Sequence, residues 1–243
     1  MDARRPIPGA LAFLNGVQLY FEVHGTSEPL LLLHGFSGWS QDWKPSTTGE
    51  WGQDFQLIIP DLRGHGRSGV LSKPFRHEDA ARDILALLDH LEISACKGLG
   101  ISGGGNVLLH MATRQPERVK AMVLVSATPY LPAQARPIMR AYPDTLSAAQ
   151  REILRRTHPG GDAQINAILA STRAFADSFD DMNFTPPHLA TIQARTLIVQ
   201  NDRDPLYPVE LSVEMAKAIP HSALWIVPNA GHGPVIGERW PNS

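Results

Sequence analysis

The stretch KGLGISGGGNVLLHMATR, residues 97–114, decides the fold because it joins a strand-like run to a helix-like run through a tight, glycine-rich turn. Leu99 and Ile101 are typical of a buried strand, whereas the residues from Asn106 to Arg114 follow a helical pattern. Ser102 stands at the turn, in the pattern Gly-x-Ser-x-Gly. Such a turn holds the serine backbone in a strained conformation and projects the hydroxyl from the carboxyl edge of a sheet. The alternative is a glycine-rich turn whose serine only caps the helix.

Apolar runs of strand length recur along the chain and alternate with helical patterns. The runs are continuously apolar, which is typical of strands in a parallel sheet. The clearest helical pattern spans about residues 79–91, and Asn15-Gly16 between two apolar segments indicates an antiparallel hairpin. We therefore expect an α/β fold with a mostly parallel central sheet, an antiparallel N-terminal hairpin and helices on both faces. The runs are Leu30–Leu33, Leu57–Ile59, Leu99–Ile101, Met122–Val125, Leu197–Val199 and Leu224–Val227.

The alternation stops between Thr128 and about Thr191, where no strand-like run occurs. Helical stretches near residues 147–157 and 162–179 predict a helical cap inserted after the sixth strand, because the segment is too long for one crossover. The alternative is a run of ordinary crossover helices. We accordingly divide the chain into a core of residues 1–127 and 192–243 and a cap of residues 128–191.

The composition excludes several classes of function. The chain has 243 residues, 19% of them charged, and a net charge of −2, so it offers no basic surface for nucleic acid or an anionic membrane. No apolar run reaches the length of about 18 residues that predicts a membrane span. Arg4-Arg5 precedes a short, proline-broken stretch that makes a poor export signal, and the single cysteine, Cys96, cannot form an internal disulfide. We expect a cytoplasmic protein with no metal, no nucleic-acid partner and no membrane partner.

Two later loops carry the base and the carboxylate that a serine nucleophile requires at neutral pH. His232 lies between two glycines after the last strand-like run, and Asp202 and Asp204 follow the run before it. Both loops leave the carboxyl ends of core strands, where an α/β sheet places its chemistry. Ser102, an acid and His232 therefore predict a nucleophile, an orienting carboxylate and a general base. For His232, the alternative is a solvated turn residue.

The negative charge that develops on an attacked carbonyl oxygen needs hydrogen-bond donors, and two backbone amides stand in suitable places. One is the N–H of Gly103, directly after the serine, and the other is the N–H of Phe36, in the loop 34–38 after an early strand. The charged segment 61–68 has two interpretations. We favour a structural turn tied to neighbouring loops over a catalytic or phosphate-binding loop.

Taken together, these blocks resemble the α/β-hydrolase family and, within it, single-domain serine hydrolases of the esterase or lactonase type. The resemblance implies a triad of Ser102, Asp204 and His232, an oxyanion hole, a cap over the pocket, and no metal or organic cofactor. It selects Asp204 over Asp202 because the acid of the family stands four residues before a proline. The residues that carry it are His34-Gly35-Phe36, residues 61–68, residues 100–104, Asp204 with Pro208, and Gly231-His232.

We expect a serine hydrolase that cleaves a carboxylic ester or lactone of a small, mostly apolar molecule through an acyl-enzyme on Ser102. Aromatic and methionine residues of the predicted cap favour such a pocket. A cofactor-free haloperoxidase or perhydrolase and an amide or C–C hydrolase are alternatives on the same triad, and a ligand-sensing binding protein is an alternative of another class. The predicted pocket residues are Ser37, Tyr130, Met139, Tyr142, Phe175, Phe179, Phe184 and Leu206.

The residues after His232 depart from the pattern of the family, whose members usually end in a longer helix that packs on the sheet. Here Gly237 and Pro241 leave room for one helical turn at most. Either the chain is short or a partner subunit covers the sheet face, which would then be apolar. We expect a homodimer.

Overall fold

A computed structural model describes residues 6–44 and 51–233, and a mixed sheet forms its centre. Within these residues the sheet has eight strands in the order β1-β2-β4-β3-β5-β6-β7-β8. β1–β2 and β2–β4 pair antiparallel, and every other pair is parallel, which confirms the predicted fold class. The strands are β1 (Ile7–Leu14), β2 (Val17–His24), β3 (Glu28–Leu33), β4 (Phe55–Pro60), β5 (Cys96–Ile101), β6 (Val119–Val125), β7 (Arg195–Asn201) and β8 (Ser222–Val227).

The N-terminal hairpin turns at Asn15-Gly16. Both residues have positive φ angles, 48° for Asn15 and 82° for Gly16. Two-residue hairpin turns of this kind match the right-handed twist of the strands, and Asn-Gly tolerates the required φ values best. The hairpin is therefore specified by its local sequence.

The helices lie between the strands, and four of them lie between β6 and β7. This segment, residues 128–191, is called the insertion below. Helix α4 was not predicted from the sequence because Pro143 lies inside it, and proline ordinarily ends a helix. The helices are α1 (Trp51–Asp54), α2 (His77–His90), α3 (Gly103–Arg114), α4 (Ala135–Thr145), α5 (Ala148–Thr157), α6 (Gly161–Phe175), α7 (Pro186–Leu189) and α8 (Val209–Ala218).

The two faces of the sheet are covered to different extents. Helices α2, α3 and α8 pack on one face, where Leu31 and Ile58 are fully buried. On the opposite face, which carries α1, an apolar groove of about 630 Å³ runs along the amino-terminal halves of the strands. Trp225, in β8, is 56% exposed. The part of the chain that the structure describes therefore leaves an apolar area of this face open.

The expectation of a homodimer concerns this open face. Residues 234–243, on which the expectation of a short C-terminal segment depends, lie outside the described residues. The homodimer stays a prediction, and a light-scattering mass of one chain at micromolar concentration would contradict it. No helix among the described residues is both long enough and apolar enough to cross a membrane.

Candidate active site

Ser102 lies at the junction between β5 and α3, in a backbone conformation that ordinary residues avoid. Its φ and ψ angles are 50° and −117°. A positive φ in a residue with a side chain costs on the order of 1–3 kcal/mol and persists only where the surroundings impose it. The surroundings impose this conformation because the neighbouring glycines pack so closely against other backbone atoms that a side chain would not fit. A Cβ on Gly100 would lie 2.5 Å from the carbonyl oxygen of Gly104, and a Cβ on Gly104 would lie 2.3 Å from that of Leu33.

The structure brings Ser102, His232 and Asp204 together. The Nε2 atom of His232 lies 2.8 Å from Ser102 Oγ, and its Nδ1 atom lies 2.7 Å from Asp204 Oδ2. Because a carboxylate only accepts hydrogen bonds, Nδ1 carries the proton and Nε2 of the neutral ring accepts from the serine hydroxyl. The side chains of His232 and Asp204 are 5% and 0% exposed. The two ring nitrogens thus link the serine to a buried carboxylate.

The loop after β7, residues 202–208 and called the acid loop below, holds Asp204 in place. Its Oδ1 accepts the backbone N–H groups of Leu206 and Tyr207, at 2.8 and 3.1 Å, and its Oδ2 accepts Gln200 Nε2 at 3.1 Å. Asp202, the other acid considered from the sequence, is exposed. Of these two acids, Asp204 is the one whose carboxylate contacts the His232 ring.

Tyr207 packs against the His232 ring from the same loop. Its ring meets that of His232 edge to face, with centroids 5.3 Å apart. Burial, followed by the nearby Asp204 carboxylate, raises the pKa of Tyr207 well above its usual range. This phenol is therefore protonated at neutral pH.

The two residues whose amides are predicted to form the oxyanion hole lie close together. A Cβ placed on Gly103 would lie only 3.2 Å from the backbone nitrogen of Phe36. Gly103 is also the first residue of α3, so its N–H is one of the donors that a helix leaves without an intrahelical partner. Both amides are thus next to Ser102 at the positive end of the helix dipole.

Two buried residues that the sequence did not single out hold the His232 loop. Asn201 Nδ2 donates to the carbonyl oxygen of Gly231, and also to Ser126 Oγ at 3.2 Å. Ser126 Oγ in turn accepts the N–H of Gly233 at 3.2 Å. The residues on both sides of His232 are therefore held by these two side chains, which are called the Ser126–Asn201 clasp below.

The predicted pocket residues fall into two groups. Phe175 lies near the site, since its ring is 4.9 Å from that of Phe36. Burial raises the pKa of Tyr142, and a hydrogen bond with Ser37 partly offsets the rise, which places these two side chains together. Met139 and Phe184 are buried, and Leu206 belongs to the acid loop.

The second group lies at the surface. Phe179 is 69% exposed, and the Arg136 guanidinium lies 3.8 Å from its ring centroid. Tyr130 is 37% exposed, and its hydroxyl donates to Glu214 at 3.2 Å. An aromatic residue in a predicted cap therefore does not by itself indicate a pocket wall.

A second histidine–aspartate pair, which was not predicted from the sequence, lies near Gly103. His77, the first residue of α2, places its Nδ1 2.8 Å from Oδ2 of Asp181, which belongs to the insertion. The backbone N–H groups of His77 and Glu78 also donate to this carboxylate, at 2.8 and 3.1 Å. Both side chains are nearly fully buried. No local motif marks the pair, because its members are 104 positions apart.

The charge of Asp181 is maintained by these donors. Burial alone would raise its pKa, but the hydrogen bonds and charge of His77 and the two backbone amides hold the pKa of Asp181 well below its usual range. On the far side of the carboxylate, His110 Nε2 lies 3.9 Å from Oδ1. Burial lowers the pKa of His110 to about 4, although Asp181 acts in the opposite direction. Asp181 is thus a carboxylate that contacts one histidine closely and a second, neutral histidine more loosely.

The charged segment 61–68 forms a structural turn. Asp61 is fully buried and accepts the backbone N–H groups of Ser40 and Arg67, at 2.6 and 2.7 Å. The Arg67 guanidinium also donates to Glu22 at 2.9 Å. These bonds tie the segment to β2 and to the loop after β3. Within residues 6–44 and 51–233, no group of three or more potential ligand side chains could hold a metal ion.

The comparison with family models defines the class of protein. The model described as "alpha/beta hydrolase fold" matches residues 28–158, more than half of the chain, so the chain belongs to this family. A second model, described as "TAP-like protein", matches residues 180–239. The two matches include the serine turn, the acid loop and His232.

Proteins similar to this chain are named after several different enzyme activities. A protein from Variovorax paradoxus, provisionally named carbamate hydrolase RutD, is 29% identical over 90% of this chain and 91% of its own length. A non-heme haloperoxidase from Rhodococcus erythropolis is 26% identical over 90% of each chain. The structure of a thermophilic esterase from Thermogutta terrifontis superposes with a TM-score of 0.74 and 24% identity, covering 93% of this chain and 92% of that one. The chain is therefore similar to proteins that are named for three different activities: carbamate hydrolase, haloperoxidase and esterase.

Proposed function

We propose that this α/β-hydrolase cleaves a carboxylic ester or lactone of a small, mostly apolar molecule through an acyl-enzyme on Ser102. One observation carries the proposal: His232 contacts Ser102 Oγ at 2.8 Å with one ring nitrogen and Asp204 at 2.7 Å with the other. A buried carboxylate behind a histidine that accepts a serine proton is what nucleophilic acyl transfer requires.

In the acylation step, Ser102 Oγ attacks the substrate carbonyl carbon while its proton passes to His232 Nε2. The carbonyl oxygen becomes an oxyanion that accepts the N–H groups of Phe36 and Gly103, each of which supplies about 3–4 kcal/mol in comparable sites. Asp204 stabilises the imidazolium that forms. When the tetrahedral intermediate collapses, the C–O bond of the ester breaks and His232 returns the proton to the leaving alkoxide.

In the deacylation step, His232 takes a proton from water, whose oxygen attacks the acyl carbon of Ser102. The bond to Ser102 Oγ breaks, the serine regains its proton, and the carboxylic acid leaves. With a lactone, the released hydroxyl stays attached to the acyl chain, and otherwise the steps are the same. The residues therefore account for the complete cycle without a cofactor.

The surroundings of the site favour an uncharged substrate. Phe36, Phe75 and Phe175 form a group of rings with centroids 4.9–6.2 Å apart beside the oxyanion amides. Such a wall buries acyl or aryl groups and gives no counterion to a highly charged one. Tyr142 with Ser37 supports the same pocket from the side of α4. The role of the insertion as a cap and a cytoplasmic location are parts of this proposal.

Turnover of p-nitrophenyl acetate and butyrate tests the proposal. We expect repeated turnover of both esters, together with stoichiometric labelling of Ser102 by a fluorophosphonate that is located by peptide mass spectrometry. The Ser102→Ala variant is the control and should show neither. A single turnover followed by a stable adduct would indicate a ligand-sensing protein on the same fold, and labelling at another residue would contradict the assigned nucleophile.

A second candidate, a cofactor-free perhydrolase, is favoured by the 26% identity to a haloperoxidase over 90% of the chain. In this reaction hydrogen peroxide replaces water in the deacylation step and a peracid leaves, which oxidises halide in solution. Bromination of monochlorodimedone in acetate buffer that contains bromide and hydrogen peroxide measures this reaction. A rate well below that of ester hydrolysis by water would favour the esterase.

Amide-type substrates are a third possibility, because a relative 29% identical to the chain is provisionally named a carbamate hydrolase. Carbamates and amides have the same planar carbonyl, but their nitrogen leaving group must be protonated by His232. Comparing the kcat/KM of butyranilide with that of phenyl butyrate separates the two, and we expect the ester to be preferred.

A further inference from the structure

His77 is buried beside the oxyanion amides and has a role that the triad does not explain. A Cβ placed on Gly103 would lie 3.7 Å from His77 Nε2 and 3.2 Å from the nitrogen of Phe36. The ring nitrogen therefore lies near the two backbone amides that we propose hold the substrate carbonyl oxygen. No hydrogen bond to this Nε2 atom occurs among the residues that the structure describes.

The orientation of the ring is fixed from three sides. Asp181 Oδ2 accepts Nδ1 at 2.8 Å, Phe175 stacks on the ring face with centroids 5.2 Å apart, and Phe75 meets the ring at an interplanar angle of 88°. Because Nδ1 is committed to Asp181, Nε2 is the one ring nitrogen left for a ligand. A polar group of the substrate can therefore form a hydrogen bond with this nitrogen on binding.

We propose that His77, held by Asp181, is a specificity-determining residue that selects acyl groups with a hydroxyl on the carbon next to the carbonyl. The inference rests on the proposed ester or lactone hydrolysis. When the carbonyl oxygen sits between the amides of Phe36 and Gly103, the substituent on the adjacent carbon is the next group that can reach Nε2.

A hydroxyl is the group that fits this position best. It can donate to Nε2 of a neutral ring and accept from Nε2–H of a protonated one, so it binds in either state of His77. The rings of Phe36, Phe75 and Phe175 surround the position with apolar surface, and a plain methylene group would leave Nε2 without a partner. Selectivity for an oxygen-bearing carbon follows from that difference.

The test compares methyl 2-hydroxybutyrate, as each enantiomer, with methyl butyrate, by pH-stat titration of the acid released. The selectivity is the ratio of the two kcat/KM values, measured for the unmodified chain and for His77→Leu. The ratio for the variant supplies the baseline of intrinsic ester reactivity. For the better enantiomer we expect the ratio in the unmodified chain to exceed this baseline by about tenfold or more, as for a hydrogen bond to a charged or polarised group.

Two further variants separate specificity from folding. His110→Leu removes the other histidine near Asp181 and should keep the ratio of the unmodified chain. In His77→Leu, the buried carboxylate of Asp181 loses its contact with the histidine ring. The double variant His77→Leu with Asp181→Asn removes this unpaired charge, and it should show the same baseline ratio as His77→Leu. A general distortion would lower both esters equally and leave the ratio unchanged, which would overturn the inference.

The outcomes also distinguish the inference from the function on which it rests. If methyl butyrate and methyl 2-hydroxybutyrate are both turned over but His77→Leu has the ratio of the unmodified chain, the role of His77 is refuted and ester hydrolysis stands. If no ester is turned over, p-nitrophenyl acetate included, the proposed function is refuted, and the inference about His77 is refuted as well because it depends on that function.

Discussion

Two histidine–aspartate pairs flank the turn of Ser102, and they differ in how they are built. His232 and Asp204 come from loops that follow the neighbouring strands β8 and β7, so the parallel sheet brings them to one edge. His77 starts α2, and Asp181 belongs to the insertion, so this pair exists only because the insertion packs on the core. In the first pair the second ring nitrogen contacts Ser102 Oγ, and in the second pair it lies near Gly103. Under our proposals, the same chemical unit serves different functions, depending on the group that its second nitrogen faces.

Loss of the nucleophile should have the largest effect. Ser102→Ala removes the atom that forms the acyl-enzyme, and we expect kcat for p-nitrophenyl butyrate to fall by about 10⁴-fold or more. The hydroxyl adds little to packing, so the melting temperature should stay within a few degrees. Residual turnover near that of the unmodified chain would show that neither pair acts on this serine.

Loss of the acid of the first pair should come next. Asp204→Asn removes the charge that orients His232, and kcat should fall by about 10³- to 10⁴-fold. Asp202→Asn, in the same loop but exposed, is the matched control and should keep full activity. Asp181→Asn should reduce the turnover of butyrate esters by about tenfold or less. Equal losses for Asp204 and Asp181 would abolish the distinction between the pairs.

The surroundings of the second pair should make folding stability depend on pH. The pKa of His110 is lowered by burial from its ordinary 6.5 to about 4, so the folded state binds fewer protons than the unfolded chain between these values. The free energy of unfolding is therefore highest above pH 6.5 and falls as the pH is lowered towards 4. The total decrease that His110 contributes is about 3 kcal/mol.

Denaturant unfolding at pH 7 and pH 4.5 measures this dependence. His110→Leu should remove about 2 to 3 kcal/mol of the loss seen in the unmodified chain between the two pH values. Parallel pH dependences for the two proteins would show that His110 does not carry the effect.

A smaller effect than that of Asp204→Asn should come from the Ser126–Asn201 clasp that holds the loop of the first pair. Asn201→Ala removes the donor to Gly231 and Ser126, and we expect kcat to fall about tenfold with little change in KM, because the base is misplaced rather than lost. Ser126→Ala should add little to it, since both act on one loop. A change confined to KM would indicate a role in substrate binding.

The site was predictable from the sequence where the fold itself places residues. The serine turn, the acid loop and the histidine loop each follow a strand-like run, and parallel strands bring such ends together. The choice between Asp202 and Asp204 depended on the family resemblance, and the structure separates them by contact, because only Asp204 reaches the ring. The pocket was less predictable, since Phe179 lies at the surface although it is aromatic and in the insertion.

By itself, the sequence determined the order of the elements, the hairpin at Asn15-Gly16 and the strand-to-helix turn at Ser102, because these depend on local spacing and on the conformational freedom of glycine. Only the tertiary structure decided that Asp181 meets His77 and that Asn201 clasps the loop of His232. Such contacts join side chains from distant parts of the chain, and they depend on how the helices of the insertion pack on the core. Packing is a property of shape in three dimensions, for which the linear pattern carries no local signal.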